Sequence, residues 1–145
     1  MVRPADDDVL LALARTVMGI STRAADALGG VSVVQLRALT VLRDQGTANL
    51  GQLAEEMGVA LSTASRLVDR LVRAGLVHRR PSPRTRREIE LQVSGDGQAT
   101  LDRYDQLRLN DLRACLSRVA QRPEALVVLE EFSAAHAPFS AEAAG

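Results

Sequence analysis

The sequence predicts a mainly α protein with one small β hairpin just past its middle, and three observations predict it. Apolar residues recur at helical spacing on both sides of residues 76–93, two short runs within those residues alternate instead, and charge is segregated along the chain. At 145 residues the chain suits a single domain, 1–145, with its own core and no room for a second. Hydrophobic residues make up 46% and charged residues 25%, ordinary for a globular protein. No apolar run approaches the roughly 18 residues of a membrane helix, and residues 1–8 lack the basic start and apolar stretch of a signal peptide. A cytoplasmic protein without a membrane partner is expected.

The elements follow from caps and periodicity. Asp6, Asp7 and Asp8 stand at the start of a helical pattern through Val9, Leu10, Leu13, Val17 and Ile20, where acids suit the positive end of the helix dipole. Gly29 and Gly30 end it. Ser32 and Gln35 have the spacing of a capping box, with Val31 and Leu36 as a hydrophobic staple, so a second helix starts near Val33 and closes at Gly46. Asn49 and Gln52 repeat that logic for a short third helix through Glu56, stopped by Gly58. This is the first half of a helix-turn-helix.

The fourth helix, about 61–74, is the most informative. Ala64, Leu67, Val68, Leu71 and Val72 fall within about 140° of its circumference. Ser62, Thr63, Ser65, Arg66, Asp69, Arg70 and Arg73 occupy the rest. After Gly75, residues 76–80 and 88–93 read as strands, joined by a turn, 81–87, stiffened by Pro81 and Pro83 and loaded with Arg84, Arg86 and Arg87: a wing. Helical spacing returns after Ser94-Gly95-Asp96-Gly97, at Leu101, Tyr104, Leu109, Leu112, Leu116 and Val119. Pro123 suits the first turn of a last helix carrying Leu126 to Leu129 and Phe132, followed by a frayed tail from Pro138. The winged helix-turn-helix thus occupies about 33–94, between helical segments at about 6–28 and 96–137.

The net charge of zero conceals a division. Residues 62–87 hold eight arginines against the single acid Asp69, a window of +7 that the remaining residues cancel. All eighteen basic residues are arginine, the side chain suited to forked contacts with phosphate and guanine, although genomic bias produces the same composition. The segregation carries more weight than the choice of arginine.

The residues Leu53-Ala54-Glu55, Ser62 to Leu71, Gly75-Leu76-Val77, and the wing into Leu91 to Gly97 stand in register without gaps with the pattern of the MarR family, which the chain resembles from its first helix to its last. Two positions depart: Thr85 stands where the family commonly has an aspartate beside the wing arginine, and Ala60 where a capping serine is frequent. The resemblance implies a transcription regulator, commonly a repressor, that binds a palindromic operator in double-stranded DNA as a homodimer. The terminal helical segments then become dimerisation helices; the apolar stripes alone fit burial within one subunit equally well. Two modules about 34 Å apart would read successive major grooves.

A helix fits the major groove, so Ser65, Arg66 and Arg70 are candidates for base edges, with Arg66 and Arg70 on guanine. Ser62 and Thr63, near the helix start, suit phosphate. Arg73 suits the DNA backbone or solvent, as do Arg79 and Arg80. In the wing, Arg86 aligns with the family's wing-tip arginine, which enters the minor groove; Arg84 is the second choice and Arg87 completes the patch. Asn49 and Gln52 are mainly caps, with phosphate contact secondary. For each arginine the competing reading is a solvated charge, weakest for Arg66 and Arg86.

The resemblance also implies a small, often aromatic, anionic effector between the helical segments and the winged module. Only Tyr104, Phe132 and Phe139 are aromatic, and Arg15, Met18 and Arg37 are candidates whose packing or surface role competes. Cys115, the single cysteine, lies far from the first helix, where the peroxide-sensing branch keeps its reactive thiol, and is expected to be structural. No Cys and His cluster has zinc spacing, so neither metal nor cofactor is expected. His78 and His136 belong to no catalytic constellation, which argues against an enzyme. A winged helix used only for protein interaction is the stronger rival, and the arginine wing argues against it.

Overall fold

The computed structural model describes residues 3–85 and 87–136. Arg86 and the tail from 137 onward, including Phe139, lie outside them. Among the described residues, six helices and a two-stranded antiparallel sheet follow in the order α1 (Pro4–Leu28), α2 (Val33–Gln45), α3 (Leu50–Met57), α4 (Leu61–Arg73), β1 (Val77–Pro81), β2 (Ile89–Val93), α5 (Gly95–Leu116) and α6 (Arg122–Ala135). The protein is mainly α with a small β wing.

Local chemistry sets the helix starts. The Asp6 carboxylate accepts from the Arg3 backbone N–H at 2.9 Å, so α1 begins at Pro4, two residues before the position expected from the acids. Ser32 and Gln35 complete the capping box of α2, each side chain accepting from the other's backbone N–H, at 3.2 and 2.9 Å. Asn49 and Gln52 do the same for α3 at 2.8 and 2.9 Å. Each such cap satisfies amides that the helix itself leaves orphaned, about 1 kcal/mol per cap. Ala60 precedes α4 without a side-chain cap, and the helix still starts at Leu61.

Two glycines make the turns that aim α4. Gly58, at φ 64° and ψ 36°, is left-handed, which lets Val59 donate back to the Ala54 carbonyl and sends the chain directly into α4. Gly75, at φ 74°, lets Leu76 donate to the Leu71 carbonyl and starts β1. The strands pair from Val77 opposite Val93 to Pro81 opposite Ile89, so Pro81 closes β1 rather than opening the turn; a proline is tolerated there because it ends an edge strand. Ala48 adds a single bridge to Leu91 on the other side of β2, with bonds of 3.2 and 2.7 Å.

The core lies where α2, α3, α4 and the sheet meet: Leu36, Leu39, Leu42, Leu53, Val68, Leu71 and Val77 are fully buried there, joined by Leu101 of α5. Tyr104 of α5 and Ala24 and Ala25 of α1 complete it. Burial in α1 begins only at Ile20, and in α5 it ends at Tyr104. No residue of α6 is buried.

Helix α5 begins at Gly95, earlier than the glycine-rich sequence suggests, because Ser94 caps it. The Ser94 hydroxyl accepts from the Gly97 N–H at 3.0 Å and donates to the Gly75 carbonyl at 2.6 Å, while the Ser94 N–H donates to the Leu76 carbonyl at 2.9 Å. The end of α4, the start of β1, the end of β2 and the start of α5 therefore share one joint. Cys115 is a correction: its thiol is exposed on α5, because the helix has left the core by that point.

Candidate nucleic-acid interface

Helix α4 divides as its periodicity requires. Ala64, Leu67, Val68 and Leu71 are buried against the core, and that anchorage turns Ser62, Thr63, Arg66, Arg70 and Arg73 outward, all exposed, with Ser65 half-buried. Among the described residues, no acid pairs with Arg66, Arg70 or Arg73. Thr63, Arg66, Leu67 and Arg70 border an open groove of about 350 Å³ whose other wall is Ser32 and Val34 at the start of α2. Two arginines and a hydroxyl on one wall give that groove donors for an anion.

Asp69, the single acid in the basic window, is paired with Arg79 of β1. The pair removes one arginine from the set able to reach a ligand and ties the polar face of α4 to the first strand of the wing. Sequence reasoning left Arg79 between surface charge and phosphate contact; its partner stands ten residues away across a turn, and helical spacing does not reveal it.

The wing presents Arg84 and Arg87, both exposed and neither paired with an acid among the described residues. Arg86, the aligned wing-tip residue, lies outside the described residues. Arg80 is exposed on β1 opposite Glu90. Asn49 and Gln52 sit at the start of α3, where their carbonyl oxygens serve as caps and their NH₂ groups keep their donors. The structure thus gathers Ser62, Thr63, Ser65, Arg66, Arg70 and Arg73 on one helix, Arg84 and Arg87 on the wing, and Asn49 and Gln52 on α3.

A second charged cluster, not foreseen from the sequence, joins the winged module to α5. Asp105 accepts from Arg43 of α2 at 2.9 Å and pairs with Arg108 one turn along α5; the Arg108 guanidinium also lies 4.2 Å from the centre of the Tyr104 ring. Burial pushes the Asp105 carboxyl up, but hydrogen bonds from Arg108 and Arg43 and their charges outweigh it and hold the group below the usual carboxylate range. The Asp105 and Arg108 spacing is visible in the sequence; Arg43, 62 residues away, is not.

The remaining candidates are dispersed. Arg15, Met18 and Arg37 are exposed, His78 is exposed on β1 and His136 ends α6. Among the described residues, no group of three or more His, Cys, Asp or Glu residues could hold a metal ion. Among the same residues, no single helix is long and apolar enough to cross a membrane; α1 and α2 pass such a test only as a pair bent by 98°, and α2 turns its apolar face to the core.

Known proteins share this arrangement. The MarR family model matches residues 31–89, the winged module. The uncharacterized HTH-type transcriptional regulator YfiV of Bacillus subtilis is 36% identical over 64 residues, which make up 44% of this chain and 40% of that protein, so the match spans less than half of that relative's length. RV1404 from Mycobacterium tuberculosis is 29% identical, with a TM-score of 0.79 over 90% of this chain and 91% of its own. A MarR family protein from Bacillus stearothermophilus is 25% identical, with a TM-score of 0.76 over 86% of this chain and 85% of its own. By sequence across the winged module and by fold across nearly the whole chain, the protein is similar to regulators of the MarR family.

Proposed function

We propose that the protein is a transcriptional regulator that binds double-stranded DNA sequence-specifically, as a homodimer on a palindromic operator, without catalytic activity of its own. The observation that carries this reading is the face of α4: its apolar stripe is locked into the core while Arg66 and Arg70 stand outward with no acid partner among the described residues, flanked by hydroxyls and by an arginine wing. An α-helix presenting forked donors fits the major groove, where arginine reads guanine in bidentate fashion. The wing arginines suit the adjacent minor groove, whose negative potential deepens where A·T tracts narrow it. A cytoplasmic setting follows from the proposed partner.

The dimer rests on unpartnered apolar surface. Leu126, Val127, Val128, Leu129 and Phe132 of α6 are all exposed, as are Val9, Leu10, Leu11, Val17 and Met18 of α1 and Leu109 and Leu112 of α5. A monomer seldom leaves so many large apolar side chains in water. A second copy supplies the cover, with residues about 6–28 and 96–137 acting as dimerisation helices of a single domain around the winged module at about 33–94.

The remaining parts of the reading come from the family resemblance. Repression follows if the operator overlaps a promoter. Response to a small anionic effector follows if a ligand between the dimerisation helices and the winged module changes the separation of the two α4 helices. The test is a titration of palindromic and random duplexes at two salt concentrations. The proposal predicts tighter binding to one palindrome and an affinity that falls steeply with salt; no binding, or no salt dependence, refutes it.

A further inference from the structure

Between β1 and β2, residues 82–88 read Ser-Pro-Arg-Thr-Arg-Arg-Glu, with a single acid, Glu88, next to β2. Three arginines within four residues repel one another, and among the described residues no carboxylate pairs with Arg84 or Arg87. Ser82 organises the turn instead. It is only 6% exposed, while Pro81, Pro83, Arg84, Thr85 and Arg87 around it are exposed.

Three hydrogen bonds meet at Ser82. Its backbone N–H donates to the Glu88 carbonyl at 2.8 Å, its hydroxyl donates to Glu90 Oε1 at 2.8 Å, and the same hydroxyl oxygen accepts from the Arg84 backbone N–H at 3.2 Å. The strand register explains the geometry. Continuing the pairing one step past Pro81 and Ile89 sets Ser82 opposite Glu88, and Glu90, two residues along β2, falls on the same face within diagonal reach. One short side chain therefore fastens the first half of the arginine turn to the second strand.

We propose that Ser82 is the positioning residue of the wing: its hydroxyl, anchored on Glu90, holds the first half of the turn, with Arg84, in the shape that enters the minor groove and so sets the preference for A·T-rich flanks. This rests on the DNA-binding reading above. A turn ordered before binding loses less conformational freedom on contact than one that must order itself against the groove. Glu90 serves as an acceptor, not as a countercharge, so glutamine should replace it and alanine should not.

The experiment compares full-length wild type with Ser82→Ala, Glu90→Ala and Glu90→Gln. Two quantities are read: the ratio of affinities for one operator with A·T-rich and with G·C-rich flanks, and the hydrogen-exchange rate of the Arg84 amide in the free protein. Both Glu90 variants lose the same charge, so any general gain in DNA affinity is common to them and their difference isolates the hydrogen bond. We expect Ser82→Ala and Glu90→Ala to lower the flank ratio about three- to tenfold, the equivalent of one net hydrogen bond, and to speed Arg84 exchange, with Glu90→Gln near wild type in both. A Ser82→Ala protein with the wild-type ratio and exchange rate overturns the proposal, and so does a Glu90→Gln protein that matches Glu90→Ala. Wild type that binds DNA without flank preference overturns the positioning role alone; wild type that binds no duplex overturns the DNA reading and this role with it.

Discussion

Gly97→Ala should destabilise the protein although it replaces glycine by the best helix former inside a helix. A Cβ built on Gly97 lands 2.2 Å from the Leu76 carbonyl oxygen and 2.7 Å from Val93 Cγ1. Carbon and carbonyl oxygen come into contact at about 3.3 Å, so α5 or the start of β1 must move by about 1 Å. The Leu76 carbonyl also accepts the Ser94 N–H, so that movement strains the joint that holds α4, the sheet and α5 together. Overpacking costs about 1–3 kcal/mol and a weakened hydrogen bond about 1 kcal/mol, offset by up to about 1 kcal/mol of helix propensity. The net is about 2 kcal/mol, or a melting temperature lower by about 4–8 °C for a chain of this size. Circular dichroism melts at one fixed protein concentration read this without interference from assembly. Gly95→Ala is the internal control, since its Cβ meets nothing within 4 Å and should leave the melting temperature unchanged or slightly raised. A Gly97→Ala protein as stable as wild type refutes the reasoning.

Further predictions concern the interface, the joint and the assembly. Arg66→Ala should lower discrimination between operator and random DNA by about 1–3 kcal/mol per half-site if it forks onto guanine, whereas an equal loss on both in a binding titration makes it a phosphate contact. Arg84→Ala and Arg86→Ala should weaken binding most where the flanks are A·T-rich, and no dependence on flank composition places the wing outside the groove. Asp105→Asn should cost about 1–2 kcal/mol in denaturant unfolding, since it removes the charged acceptor shared by Arg43 and Arg108. Because the folded state holds the Asp105 carboxyl below its ordinary value of 3.8, this contribution is present above that pH and fades as pH falls through the lower folded value. Wild type should therefore lose its advantage over Asp105→Asn in acid, and a constant difference across that range contradicts the assignment. Leu126→Glu with Phe132→Glu should shift the mass measured by light scattering from dimer to monomer.

Features carried by neighbouring residues were legible in the sequence. Ser32 with Gln35 and Asn49 with Gln52 gave the starts of α2 and α3, Gly58 and Gly75 their surrounding turns, and the stripe from Ala64 to Val72 the two faces of α4. Features depending on residues distant along the chain were not. The Ala48 bridge to Leu91 is a single residue without a strand pattern of its own, and the partnership of Arg43 with Asp105 needs α2 and α5 already docked. Gly97 looks like part of a loop until the Leu76 carbonyl occupies the place of its Cβ. Ser82 looks like a polar turn residue among prolines, and only the strand register shows that Glu90 lies within its reach. The outward face of α4 was legible because packing against the core selects one face of a helix and leaves the other to solvent. Their partners within the protein, above all Asp69 with Arg79, were not.

The central claim is that two copies of α4 read one duplex. Selecting bound duplexes from a random-sequence pool and mapping the protected bases tests it most directly. The account predicts enrichment of a two-fold symmetric site with half-sites about 10 base pairs apart, centre to centre, each protected in the major groove. A pool that shows no enrichment over its starting composition, or a selected site lacking two-fold symmetry, would contradict it.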